Sequence, residues 1–426
     1  MLHFALASGS VRDSFDDVAV ITTASSPELD PSHAPVPANG RPPRIDSVDL
    51  LRGIIMVVMA LDHTRDFFHN GALHGQNPLD LATTTPGLFL TRWITHFCAP
   101  NFNFLAGTGV FLAASRGKSK GELSWFLLTR GAWLILIELT LLMWFGWDFK
   151  IHLTQFTLAT LWALGWSMIV LAALVRLPVW AITTFGLALI VGHNAFDGVK
   201  PDSWGSAGWV WQALHISSSF KLGRFEFAAF YPLMPWVGVM AAGYGLGAVY
   251  RWDAIVRKRW LMRLGVGAVL AFVVLRFANV YGNLLPWTHQ PNGLYTVLSF
   301  IDCTKYPPSL CYLLMTIGPG LIALSVLERP TPRVLQPFIV FGRVPFFYYV
   351  LHIPLIHAVA VGVHWLIGSV PGELHRNAGQ LQSAAGGFDL PVVYLVWLCI
   401  VIALYPACRW FADLKRRRRE AWLSYL

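Results

Sequence analysis

Ten mainly apolar stretches of about twenty residues recur along this chain, near 48–68, 90–114, 123–146, 153–175, 177–195, 231–250, 260–280, 309–327, 338–367 and 390–411. A bilayer core of about 30 Å is crossed by roughly 20 helical residues, because a helix satisfies its own backbone groups where no water is present. The repetition predicts an all-α fold, a polytopic membrane helix bundle with about ten transmembrane helices. Composition agrees: the chain is 55% hydrophobic and 13% charged, with a mean hydropathy of +0.53. A net charge of +9 would suit a nucleic-acid binder, but Lys and Arg sit in short clusters between apolar runs rather than on one surface. No nucleic acid is expected; the lipid bilayer is the partner, and the charges orient the chain within it.

Positive clusters at 115–121, 251–260, 328–333 and 415–419 follow the second, sixth, eighth and tenth stretches, whereas the connection 69–89 holds no Lys or Arg. Positive charge collects on the cytosolic side, so both termini are expected there. Three parts result: a flexible cytosolic tail over 1–43, rich in Pro, Ser and Ala, a transmembrane domain over 44–414, and a basic cytosolic tail over 415–426. The tail lacks the pattern of a signal peptide, so no cleavage is expected. The five cysteines show no CxxC spacing, which favours buried thiols over a disulfide framework or a zinc site.

Ionisable groups inside such stretches cost at least about 2.5 kcal/mol at mid-membrane, so they pair, line a wet cavity or do chemistry. The first stretch ends in Asp62, His63, Arg65 and Asp66. Residues three apart share a helix face, which sets Asp66 beside His63 and suits a carboxylate-oriented general base. A plain ion-pair anchor of Asp62 with Arg65 is the rival reading. In the second stretch Arg92 and His96 precede Pro100, Asn101 and Asn103, and a helix broken at proline commonly lines a site. There His96 or Asn101 would steady an oxyanion, or merely bond neighbouring helices. Glu138 reads as the structural partner of a buried donor. In the ninth stretch Tyr348 and His352 share a face while His352 and His357 do not, so no metal is expected. His352, between Pro345 and Pro354, is a candidate for a group aimed into a cavity. Lys305 either snorkels to the interface or meets an anionic substrate group. Trp204, Trp209 and Trp211 suit either a sugar face or the membrane interface.

"RIDSVDLLRG" (44–53), through Arg44, Ser47, Asp49, Arg52 and Gly53, resembles the opening motif of the heparan-alpha-glucosaminide N-acetyltransferase catalytic-domain family, within the wider transmembrane acyltransferases. "APNFNFLAGTGVFLAAS" resembles its second span through Pro100, Phe102, Phe104 and Gly107, and "FGRVPFFYYVLH" a later motif through Gly342, Tyr349 and His352. The likeness extends over most of 44–411. It implies acetyl transfer from cytosolic acetyl-CoA, as co-substrate, to an amine or hydroxyl of a saccharide or glycolipid on the far side. It also implies an Asn at the outer end of the first span, here matched by His63, and a far-side histidine for which His69, His74 and His96 are the neighbours. On this reading Arg52 or Arg343 holds the CoA phosphates, though Asp49 is placed to neutralise Arg52. His63, oriented by Asp66, deprotonates the acceptor or carries the acetyl group itself. A bacterial inner (cytoplasmic) membrane and homo-oligomerisation are compatible with it. The alternative is a membrane transporter that uses the buried His and Asp groups as a proton or solute relay.

Overall fold

The computed structural model describes residues 45–367, 375–377, 380–382, 386–418 and 420–425. The tail expected over 1–43 lies outside them. The helices in chain order are α1 (Asp46–Phe68), α2 (Asn70–Leu73), α3 (Pro86–Thr95), α4 (Cys98–Ala114), α5 (Lys120–Ile137), α6 (Thr160–Leu174), α7 (Val179–Gly192), α8 (Gly208–Leu214), α9 (Leu233–Leu246) and α10 (Ala254–Ala278). They continue with α11 (Gly293–Ile301), α12 (Leu310–Leu327), α13 (Gln336–Arg343), α14 (Pro345–Leu366) and α15 (Leu390–Arg417). Among the described residues, eight helical segments are long and apolar enough to cross a membrane: Pro86–Ala114, Lys120–Trp147, Val179–Phe196, Leu233–Arg251, Ala254–Ala278, Leu310–Leu327, Pro345–Leu366 and Leu390–Arg417. The first and fourth expected spans are also helices, but α1 carries six charged residues and α6 has 15 residues.

The fold is not purely helical. Strands β1 (Gln155–Leu158), β2 (Ser218–Leu222) and β3 (Phe225–Ala229) form a sheet in the order β1-β3-β2, with β1 parallel and β2 antiparallel to β3. Phe227 stands opposite both Phe156 and Phe220, with ring centroids 5.5 and 5.3 Å away. This pairing takes residues 155–158 out of the expected fourth span. It shortens the helix, whose Leu161 N–H donates to Glu138 Oε2 at 2.6 Å. Glu138 thus has the structural role its sequence position suggested. It opens a π-helical continuation of α5, Glu138–Trp147.

Two prolines set the breaks that matter for the site. Pro100 has no N–H to give the carbonyl of His96, four residues earlier, and the helix is interrupted at 96–97 between α3 and α4. The freed His96 carbonyl accepts instead from Tyr312 Oη at 2.8 Å. Pro345 likewise excludes Val344 from helical geometry (φ −132°, ψ 47°) and separates α13 from α14.

Small residues let the helices close on one another. A Cβ on Gly53 would meet the carbonyl of Phe338, and one on Gly342 the carbonyl of Asp49, so α1 and α13 cross at backbone contact. Gly131 of α5 and Gly165 of α6 face each other in the same way. The core that results is continuous and includes Met56, Phe67, Tyr312, Tyr348 and Ile353, each fully buried. Four of the five cysteines are buried and all are unpaired. Gly53→Ala and Gly342→Ala should each lower stability by about 1–3 kcal/mol through overpacking, seen as a lower thermal midpoint of detergent-purified protein. Gly267→Ala, exposed with open space around it, should change it by less than about 1 kcal/mol.

Candidate functional site

A cavity of about 500 Å³ lies at the Phe68 end of α1. Asp62, His63, Arg65 and Asp66 reach it from α1, Arg92 and His96 from the α3 break, Trp147 from the π-helical segment and Tyr349 from α14. The segment after α11 adds Asp302, Lys305 and Tyr306. Four of the six expected catalytic residues, Asp62, His63, Asp66 and His96, therefore share one wall-lined space.

The carboxylates are engaged by arginines. Asp62 pairs with Arg92 and accepts from Arg65 Nη2 at 3.1 Å, and the same Arg65 nitrogen lies 2.5 Å from Asp66. This corrects the expected pairing of Asp66 with His63. Shared helix face permits that contact, but a buried guanidinium next door binds a carboxylate more strongly than a neutral imidazole does.

His63 has a different partner, across the chain. Its Nδ1 lies 2.7 Å from His352 Nε2, with the rings stacked at 4.9 Å. His352 is fully buried, and its Nδ1 sits 2.7 Å from the Tyr349 carbonyl and 3.1 Å from that of Tyr348. Carbonyls only accept, so His352 Nδ1 carries the proton and, in the neutral ring, its Nε2 accepts. His63 Nδ1 must then donate, which leaves the His63 Nε2 lone pair unprotonated. His352 does not line the cavity; it stands behind His63 and sets its tautomer. Trp147 meets the His63 ring edge-on at 5.0 Å.

His96 is fully buried, its ring nitrogens lack hydrogen-bond partners, and it packs edge-on against Tyr312 at 5.4 Å. Asn101 is elsewhere. Its amide nitrogen donates to Phe97 O and Thr316 O, each at 2.9 Å, which uses both N–H groups to tie α4 to α12. It has no donor left for an oxyanion and does not line the cavity.

Arg52 and Arg343 lie at the opposite end of α1. Arg52 is eleven residues before His63, about 16 Å along a helix. It donates to Asp49 Oδ1 at 3.3 Å and to Leu105 O at 3.2 Å, so the rival role for Arg52 is the one present. Arg343 keeps longer contacts, 3.7 Å to Asp46 and 3.9 Å to Asp49, and retains 36% side-chain exposure. The Arg343 guanidinium is thus held less closely than that of Arg52. Trp204, Trp209 and Trp211 are not among the cavity residues.

Several lining residues carried no clear sequence signal. Tyr306, beside Tyr231 with ring centroids 5.4 Å apart, is one. Burial would raise its phenol, but Lys305 and Arg92 nearby outweigh this and hold it below its ordinary value. Asp302 is another: burial lifts its carboxyl to about 6, against the opposing pull of Arg276. Arg276 itself is buried and donates to the carbonyls of Leu285, Ser299, Phe300 and Asp302.

A polytopic helical membrane protein with a polar, histidine-bearing cavity at one end of its bundle is the class these features define. A family model described as heparan-alpha-glucosaminide N-acetyltransferase, catalytic, matches residues 44–281, and the chain belongs to this family of membrane acetyltransferases. The match includes Asp62, His63, Asp66, Arg92 and His96. It ends before Gly342, Tyr349 and His352, so it is shorter than the likeness read over 44–411. A search of curated proteins gave no match.

Asp302 yields a pH prediction. Its folded pKa of about 6 exceeds the ordinary value of 3.8, so the fold prefers the protonated form. Its contribution is full below the ordinary value and is lost as pH rises through about 6. Thermal midpoints should fall between pH 4 and 6 in the native protein, and Asp302→Asn should flatten that part of the profile.

Proposed function

We propose that the chain transfers an acetyl group from acetyl-CoA to an amine or hydroxyl of a saccharide, with His63 as general base. The observation that carries this is the chain of hydrogen bonds from the Tyr348 and Tyr349 carbonyls through His352 to His63, which directs an unprotonated Nε2 at a cavity. Acetyl-CoA supplies the thioester. His63 Nε2 takes the proton from the acceptor as that oxygen or nitrogen bonds the acetyl carbon, and returns it to the thiolate sulfur as the C–S bond breaks. His96, buried with its ring N–H uncommitted, donates to the oxygen that gains charge. Arg92 and Lys305 keep the cavity electropositive, and Asp62 and Asp66 fix the arginines.

In this reading all ten apolar helices cross the membrane, α1 and α6 included, and both termini are cytosolic. The charge-poor connection 69–89 supplies Gln76 and Asn77 to the cavity wall, which supports an extracytoplasmic opening for the acceptor. Donor phosphates would be met at the opposite end of α1 by Arg343, with Arg52 holding Asp49 in place. A bacterial inner membrane suits this layout.

The test supplies purified protein with acetyl-CoA labelled on its acetyl group and a panel of glycans and lipid-linked sugars. Labelled saccharide is expected, and His63→Gln should lower its rate by about 10²–10⁴-fold. His352→Gln, a positioning change, should lower kcat less and move the acidic limb of the pH profile. Full activity of His63→Gln would exclude the assigned base.

A further inference from the structure

Away from the cavity, the end of α7 and the connection after it gather a second set of histidines. His193 follows α7 and Asp197 comes one turn later, while His215 follows α8. One ligand atom from each lies within 4.8 Å of the others. His193 and His215 are each 1% exposed, while the Asp197 side chain keeps 20% exposure.

Hydrogen bonding explains only part of this cluster. His215 Nε2 meets Asp197 Oδ1 at 3.0 Å, an ordinary imidazole–carboxylate pair. The His193 ring is different, since both of its nitrogens are buried and neither has a partner, and His215 Nδ1 is also unpartnered. Buried polar groups are ordinarily hydrogen-bonded; among the described residues His96, His193 and His364 all have buried ring nitrogens without partners, and of these His193 stands with a carboxylate and a second imidazole at ligand spacing. A ligand that takes a lone pair from nitrogen would account for it.

The carboxylate is already held for such a role. Asn194 Nδ2 donates to Asp197 Oδ2 at 2.9 Å, which turns Oδ1 toward the histidines. Asn194 Oδ1 accepts from the backbone N–H of Leu310 at 2.9 Å, which ties the cluster to the start of α12. A supporting hydrogen bond of this kind orients first ligands in metal sites.

We propose that His193, Asp197 and His215 bind a divalent cation of the zinc type, with a fourth position open at the exposed edge of Asp197. Two imidazoles and one carboxylate suit that borderline ion better than magnesium or calcium, which prefer all-oxygen shells. A tetrahedral ion sets its ligands about 3.3 Å apart for bonds of about 2.0–2.1 Å, so the ion would replace the His215–Asp197 hydrogen bond, spreading that 3.0 Å pair slightly, and draw in the wider separations of a cluster that spans at most 4.8 Å. The ion would clamp α7 and the connection around α8 to the start of α12. The site shares no residue with the acetyl-transfer cavity and does not depend on that reading.

The test uses the full chain without a polyhistidine tag, purified in detergent, exposed to micromolar zinc and dialysed, with metal counted by mass spectrometry. About one zinc per chain is expected, and cobalt in its place should give visible ligand-field absorption that zinc abolishes. His193→Ala and His215→Ala should weaken zinc binding by about 100-fold or more, judged against the 10- to 100-fold cost of losing a merely supporting residue, while His63→Ala should retain it. The cobalt spectrum of the unaltered protein needs no variant to fold. No zinc and no cobalt absorption in that protein would overturn the proposal, as would zinc lost from His63→Ala but kept by His193→Ala.

Discussion

The hydrogen bond between His63 and His352 organises the candidate site. It joins α1 to α14 deep in the bundle, and its direction follows from groups that cannot change roles. Two peptide carbonyls one helical turn back on α14 accept from His352 Nδ1, and everything downstream in the chain is fixed by that. The consequence is a base whose free nitrogen is chosen by backbone geometry rather than by a neighbouring carboxylate. Such a base needs no carboxylate to orient it, and the acidic residues of the wall engage arginines instead.

The role of these acids is electrostatic. Asp62 and Asp66 neutralise Arg65 and Arg92 in the cavity wall. A buried pair of this sort contributes little net stability, but removing one member strands a charge and is costly. The network therefore locks the end of α1 to α3, close to the break made by Pro100. The same break presents His96 to the cavity and leaves its carbonyl to Tyr312. One missing N–H in the sequence thus positions a side chain, a helix junction and a tie to α12.

The sequence disclosed much of this through local rules. Runs of apolar residues marked the helices, and Pro100 and Pro345 marked breaks, whereas Pro354 lies inside a continuous α14. His63 and the acids at the end of α1 stood out because they interrupt a greasy segment. Contacts between distant positions were hidden. His63 and His352 are 289 residues apart, and no periodicity links them. Local adjacency even misled, since Asp66 shares a face with His63 yet turns to Arg65. Asn101 looked like a site residue because it follows Pro100, but its face points at α12. Residues 155–158 alternate in a way that suits a strand, and their partner β3 lies some seventy residues on. Short apolar runs do not distinguish strand from helix by pattern alone.

The tautomer of His63 is the most direct measure of the account. Nitrogen NMR of histidine-labelled protein in lipid, with His63 assigned by its loss in His63→Gln, reports which ring nitrogen carries the proton. Protonated Nδ1 and bare Nε2 are expected, with that preference lost in His352→Gln. A His63 ring protonated at Nε2 in the resting protein, unchanged by His352→Gln, would contradict it.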